Sequence, residues 1–81
     1  MDEATKKEIQ SKTFERLVSH LQSRKDVQNI ELMNLAGFCR NCLSKWFREE
    51  AKKKNLVISD PESRKYIYGM SYEEWKSKYQ K

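Results

Sequence analysis

The longest hydrophobic pattern in the chain lies in its middle third. From Leu35 to Lys53, apolar side chains recur every three or four positions, which is the spacing of one face of an α-helix. At about 100° per residue they fall on an arc of roughly 180°, wider than the stripe of an ordinary surface helix. We therefore predict one central helix that other segments cover from several sides. The arc comprises Leu35, Phe38, Cys39, Cys42, Leu43, Trp46 and Phe47, and the opposite polar side comprises Asn41, Ser44, Lys45, Arg48 and Lys52.

Two shorter helices are predicted before the central one. Residues 1–11 alternate in charge, which is typical of a frayed, solvated N-terminal extension of a first helix. Asp26 is a suitable N-cap for a second helix from Val27 to Met33, and Asn34 can cap the central helix. The first helix follows the i, i+3, i+4, i+7 spacing of a packed face at Phe14, Leu17, Val18 and Leu21.

Gly37 and Asn55 are the two positions near the ends of the predicted central helix where the sequence indicates a non-helical backbone. An interior glycine costs about 1 kcal/mol relative to alanine, so Gly37 indicates close approach of another backbone or a turn between two helices. Asn55 can take the left-handed position that follows a helix end. The apolar residues 56–58 come next, and we expect them to tuck beneath the fold.

The last third of the chain predicts two short, aromatic helices. Asp60 as N-cap and Pro61 at the first position start one helix, which should end at Gly69. Ser71 and Glu74 form a capping box that opens the last helix. The rings on these helices must dock on the central helix or on a second copy of the chain. They are Tyr66, Tyr68, Tyr72, Trp75 and Tyr79.

Length and composition favour a small all-α fold. The 81 residues include two glycines and one proline, and helix-forming residues dominate. We predict a compact multi-helix array of four to five helices around a broad apolar central helix, in a single domain of residues 1–81. A chain of this size buries only about 60–65% of its unfolded surface, so such domains commonly add a disulfide, a metal or a partner subunit.

The net charge of +5 is concentrated in the central segment. Residues 35–54 hold six basic and two acidic side chains, whereas the first 34 residues are neutral. This excess is typical either of a solvated face or of an anion-binding one. The segment Ala36-Gly37-Phe38 with its basic flank also resembles the second half of an AraC-type helix-turn-helix. The nucleic-acid contacts would then be Asn41, Lys45, Arg48 and Lys52.

Cys39 and Cys42 form a CxxC motif. In thioredoxin-like proteins this motif starts a helix after a strand, but here no strand is predicted and both thiols fall on the apolar arc. We therefore interpret them as reduced, mostly buried and unligated. A zinc site needs four ligands, and two thiols suffice only if a homodimer pools four of them. Metal binding or redox chemistry at this motif is the alternative.

Enzymatic, membrane and secretory functions have no sequence support. No catalytic constellation, Gly-rich phosphate loop or long apolar run occurs, and the N-terminus lacks an apolar signal core. We accordingly expect a cytoplasmic protein without catalytic residues or cofactors, zinc excepted, and with no membrane association.

Several runs of residues carry a resemblance to a known family, and they are 26–30, Leu32 to Trp46, 68–70, 72–76 and 79–80. Through them the chain from Phe14 to Gln80 resembles a bacterial family described as domain of unknown function 1244. The resemblance implies a compact all-helical protein that forms a homodimer, and it implies no activity. The expected function is a homodimeric binding or adaptor module for an unknown protein partner, with nucleic-acid binding as an alternative.

Overall fold

The computed structural model describes residues 1–81, and all of its regular elements are helices. No strand is present, so the predicted all-α array of four to five helices is confirmed. None of the helices combines the length and the apolar character that a membrane span requires. In chain order the helices are α1 (Glu3–Ser23), α2 (Asn29–Ala36), α3 (Arg40–Lys53), α4 (Asp60–Tyr68) and α5 (Tyr72–Tyr79).

Only the second half of α1 packs against the rest of the protein. Every residue from 1 to 13 is exposed, whereas Val18 and Leu21 are buried and Phe14 is half-buried. The fourth residue of the predicted face, Leu17, remains 37% exposed. The contact surface on α1 is therefore narrower than its apolar pattern indicated.

The predicted single helix from Leu35 to Lys53 is wrong, because the chain turns at Gly37. Gly37 has φ of +76° and closes α2, and its N–H donates to the carbonyl oxygen of Met33 at 2.9 Å. Cys39 has an extended backbone and forms the N-cap of α3. Glycine adopts left-handed φ without a Cβ penalty, so a turn is as available here as a helix interior. Leu35 consequently leaves the predicted arc and is 86% exposed.

Asp26 and Asn34 do not have the capping roles predicted for them. The N-cap of α2 is Gln28, whose backbone N–H donates to Glu31 Oε1 at 2.9 Å. Asp26 instead accepts hydrogen bonds from the Arg24 guanidinium at 3.1 Å. Asn34 lies inside α2, because the helix continues through it to Ala36.

The connection between α3 and α4 agrees with its prediction at Asn55, and it differs at the apolar residues that follow and at the N-cap of α4. Asn55 has φ of +61°, which confirms its left-handed position. Leu56 and Val57, however, are 60% and 95% exposed, so the prediction that residues 56–58 tuck beneath the fold is wrong for these two. Ile58 is half-buried. Because α3 packs directly against α4, no side chain of the connection is needed between the two helices. The N-cap of α4 is Ser59, one residue before the predicted Asp60.

The ends of α4 and α5 follow the sequence signals closely. Gly69, with φ of +76°, ends α4 as predicted. Ser71 Oγ accepts a hydrogen bond from the Glu74 backbone N–H at 3.1 Å, which confirms the N-cap of α5. The Glu74 carboxylate pairs with Lys78 at 3.2 Å and does not return to Ser71, so half of the capping box forms.

The contacts of the fold converge on α4, which packs against α1, α3 and α5. Three residues of the predicted polar side of α3 contact this helix, and they are Asn41, Ser44 and Arg48. Ser44, expected in solvent, is buried with its Oγ 2.8 Å from Ser63 Oγ. Two small side chains let the helix backbones approach, and each hydroxyl gives the other a hydrogen-bond partner. The buried core comprises Val18, Leu21, Leu43, Ile67, Tyr68 and Trp75.

Candidate functional site

The CxxC motif lies at the first turn of α3, and not within a longer helix as predicted. Cys39 is the N-cap and Cys42 is the third helical residue. Both thiols are free, and their Sγ atoms are 3.9 Å apart. Cys39 is buried, whereas Cys42 is half-buried. The turn at Gly37 thus places two thiols in contact at a helix start.

Cys39 borders an open cleft of about 390 Å³. The walls come from α2, through Ile30 and Met33, and from α5, through Tyr72 and Trp75. Ile30 is 65% exposed and Met33 is 40% exposed, so the α2 wall is accessible from outside. One thiol of the motif therefore lies beside a mostly apolar depression.

Arg40, the residue after Cys39, joins α3 to the chain that leads out of α1. Its side chain is almost completely buried. Nη1 donates to the carbonyl oxygen of Val27 at 2.7 Å, and Nη2 donates to that of Arg24 at 2.8 Å. Nη2 also lies 3.4 Å from the carbonyl oxygen of Leu21. A positive side chain at the carbonyl end of a helix is favoured by the helix dipole.

The buried charge of Arg40 has no carboxylate within ion-pair distance. Nη1 donates instead to Asn29 Oδ1 at 3.1 Å, and Cζ lies 5.0 Å from the centre of the Trp75 ring. Burial lowers the pKa of the Arg40 guanidinium, which nevertheless stays charged because it is the most basic side chain. Arg40 therefore holds α1, α2 and α5 together from one position.

Asn41 belongs to a hydrogen-bond network beneath the cleft. Its Oδ1 accepts from Tyr68 Oη at 2.5 Å and from Arg64 Nη1 at 2.9 Å. Tyr68 Oη accepts in turn from Asn29 Nδ2 at 3.0 Å. Burial raises the pKa of Tyr68 to about 12. Since these groups satisfy one another, Asn41 is committed to the fold.

A second surface feature is an apolar groove of about 250 Å³ between α1 and α3. Trp46 stands at this groove with 49% of its surface exposed, and its ring centre lies 6.3 Å from that of Phe38. Glu50 supplies the polar side chain of the lining. We define the apolar face of the molecule as Phe14, Phe38, Leu43, Trp46 and Phe47.

The four residues predicted to contact nucleic acid do not form one free surface. Lys45 and Lys52 are exposed. The Arg48 guanidinium lies 3.7 Å from the Asp60 carboxylate, and Asn41 is bonded within the fold. Nucleic-acid binding stays a prediction, and the two lysines are the freely accessible groups for it.

Cys39 and Cys42 are also the residues that would bind a metal in the alternative interpretation, in which a homodimer pools four thiols. No group of three or more His, Cys, Asp and Glu side chains with the spacing for a metal ion occurs in the chain. Tetrahedral zinc takes four ligands. A zinc site therefore requires a second copy to supply two more thiols, and it stays a prediction.

Sequence reasoning did not identify the roles of Arg40 and Tyr68. Arg40 counted as one more charge of a basic segment, although its position between two cysteines on an apolar arc was a signal of burial. Tyr68 counted only as one of several aromatic residues. Their partners lie 11 to 39 positions away, so no local spacing reveals the contacts.

Comparison with known proteins places these features within one family. The family described as "Protein of unknown function (DUF1244)" matches residues 27–81, which include α2 to α5, both cysteines and the cleft. A search of curated proteins found no match. Because the family match spans well over half of the chain and agrees with the resemblance seen in the sequence, the chain belongs to the DUF1244 family.

Proposed function

We propose that the protein is a homodimeric helical binding module, without catalytic activity, whose copies meet through the apolar face. The observation that carries the proposal is the half-exposed Trp46 beside the groove between α1 and α3. Tryptophan is among the residues most enriched at the centre of protein interfaces, because burying its large ring releases much water from apolar surface.

The composition of the apolar face supports contact between two copies. Three aromatic rings and Leu43 line the groove, and Glu50 provides a polar side chain. An apolar centre with polar groups around it is the usual arrangement of a stable interface. In a two-fold dimer the same surface serves both copies, so a single face is sufficient.

The free half of α1 supports the same proposal. Residues 3–13 form a helix that is exposed on all sides. Isolated helices shorter than about 12–15 residues are marginal in water, so contact with a partner would stabilise this segment.

A standard interface buries about 800 Å² per partner. The chain exposes 6150 Å², of which such an interface is roughly an eighth.

The proposal further places the protein in the cytoplasm, where free thiols persist.

Sedimentation velocity over a micromolar concentration range tests the proposal. The unmodified chain should sediment as a dimer, and Trp46→Glu should sediment as a monomer, because a charge would then be buried at the interface. Val57→Glu is the matched control. Val57 is 95% exposed on the connection between α3 and α4, so its substitution should leave the dimer intact.

Circular dichroism should show the same helix content for both variants, since neither Trp46 nor Val57 belongs to the buried core. A chain that is monomeric at every concentration would contradict the proposal. So would a Trp46→Glu variant that dimerises as tightly as the unmodified chain.

A further inference from the structure

The two thiols of the CxxC motif are already in contact. Their Sγ atoms lie 3.9 Å apart, and a disulfide bond is about 2.05 Å long. The sulfurs must therefore approach by roughly 1.9 Å, a distance within reach of side-chain rotation. No other cysteine is present in the chain, so each thiol has the other as its intramolecular partner.

The backbone at this turn suits a disulfide better than a helix interior does. The Leu43 N–H donates to the Cys39 carbonyl oxygen at 3.2 Å, so Cys39 lies in register with the first helical turn. Helix geometry separates Cα atoms three residues apart by about 5 Å, inside the range that disulfides span. Cys39 itself is extended, with φ of −144° and ψ of −175°. Because no helical turn precedes it, its rotamer is free of the clash that restricts side chains within helices.

The two thiols differ in accessibility. Cys42 is half-buried and open to small reagents, whereas Cys39 is 6% exposed beside the cleft. An oxidant that arrives from solvent therefore meets Cys42 first. The Cys39 sulfur is in contact with the Cys42 sulfur, so it can react with an oxidised Cys42 to form a disulfide.

We propose that Cys39 and Cys42 form a dithiol site that hydroperoxides oxidise to an intramolecular disulfide. The Cys42 sulfur attacks the terminal oxygen of a hydroperoxide, an S–O bond forms and the O–O bond breaks. The other oxygen takes the thiol proton and leaves as an alcohol or water, and Cys42 becomes a sulfenic acid. The Cys39 sulfur then attacks the Cys42 sulfur, an S–S bond forms, and the sulfenic oxygen leaves as water. One hydroperoxide is reduced for each pair of thiols oxidised. Two equivalents of a small thiol restore the reduced pair and are themselves joined as a disulfide.

Titration of the reduced full-length protein with hydrogen peroxide tests the proposal. Intact mass should fall by about 2 Da, the mass of the two hydrogens removed, and both thiols should become unreactive together. Dithiothreitol should return the original mass and both thiols. Alkylation of the native reduced protein should label Cys42 before Cys39, because Cys42 is the more exposed thiol.

Cys39→Ser and Cys42→Ser are the matched variants, since serine is close to cysteine in size and lacks the oxidisable sulfur. Peroxide should leave Cys39→Ser with an unresolved sulfenic acid at Cys42, which a sulfenic-acid trap detects. The titration is repeated on Trp46→Glu, because Cys42 lies one turn before Trp46 on α3. The disulfide must form in this variant also, so failure of the dimer proposal does not affect the outcome.

Three results would overturn the proposal. The first is independent oxidation of the two cysteines to sulfinic acids without loss of 2 Da. The second is a disulfide that forms only between separate chains. The third is a stoichiometric metal ion in the purified protein that is lost in either serine variant, since the thiols would then be metal ligands.

Discussion

The Arg40 side chain, at the start of α3, contacts three other parts of the chain. Its guanidinium donates to backbone carbonyls at the end of α1 and before α2, and it stacks on an aromatic ring of α5. A buried charge loses its hydration, and this free-energy cost is offset only when each of its donors has a good hydrogen-bond acceptor. Here the acceptors are neutral backbone and amide oxygens. Arg40 therefore supplies polar contacts between helices in a protein that is too small for a larger apolar core.

Replacement of Arg40 by methionine should lower the free energy of unfolding by about 2–4 kcal/mol, because the Val27 carbonyl oxygen loses its donor and the Arg24 carbonyl oxygen keeps only the Val27 N–H. Methionine retains much of the aliphatic volume, so the variant isolates the hydrogen bonds from the packing. Urea unfolding at neutral pH measures the change. Arg24→Met is the control, since the Arg24 side chain pairs with Asp26 at the exposed surface and its loss should hardly alter the midpoint. An Arg40→Met variant as stable as the unmodified chain would show that desolvation cancels the hydrogen bonds.

At the scale of elements, two glycines with the same backbone conformation connect different pairs of helices. Gly37 ends α2 and Gly69 ends α4, both with φ of +76°. A Cβ at Gly37 would meet no atom within 4 Å, whereas one at Gly69 would lie 2.9 Å from Gln22 Cδ. Gln22 is held there by hydrogen bonds from its Nε2 to the carbonyl oxygens of Tyr66 and Ile67 at 3.1 and 3.2 Å.

The two glycines therefore give a matched pair of alanine variants. Gly37→Ala should cost about 1 kcal/mol, the penalty of a left-handed residue with a Cβ. Gly69→Ala should cost about 2–3 kcal/mol, because Gln22 must also move and give up hydrogen bonds to the end of α4. Thermal unfolding followed by circular dichroism compares them. Equal losses in the two variants would contradict the role assigned to Gln22.

At the scale of the whole molecule, helix α4 and its buried tyrosine link global stability to pH. Tyr68 is 1% exposed and belongs to the core between α3, α4 and α5. Its hydroxyl donates to Asn41 and accepts from Asn29, so a phenolate would lose a hydrogen bond inside the protein.

We expect stability to fall as the pH rises from about 10 to about 12. The pKa of Tyr68 is raised to about 12 in the folded protein, whereas an unfolded tyrosine has a pKa of about 10. The folded state therefore binds the proton more tightly, so the contribution of Tyr68 is fully present below pH 10 and is lost through this range. Denaturant midpoints measured at several alkaline pH values test this dependence. Tyr68→Phe should show a shallower decline than the unmodified chain, since other groups that titrate there are common to both proteins. Parallel declines would exclude Tyr68 as a source.

The sequence by itself determined the features that depend on neighbouring residues. The all-α class, the end of α4 at Gly69 and the cap of α5 at Ser71 all follow from contacts within a few positions. Hydrogen bonds in helices join residues four apart, and caps join residues two or three apart, so short windows of sequence contain both partners. The family resemblance rested likewise on short runs of neighbouring residues, the longest of which extends from Leu32 to Trp46.

Tertiary structure decided where the central pattern breaks and which side of α3 is buried. Gly37 is compatible with a helix interior at modest cost and with a left-handed turn at none, so local sequence leaves both open. The turn rotates Arg40 and Ser44 into the interior and brings Cys39 to a helix start. Ser44 finds its partner 19 positions away and Arg40 finds acceptors 11 to 19 positions away. Only the packing of whole helices, which buries apolar area and satisfies distant polar groups together, selects that arrangement.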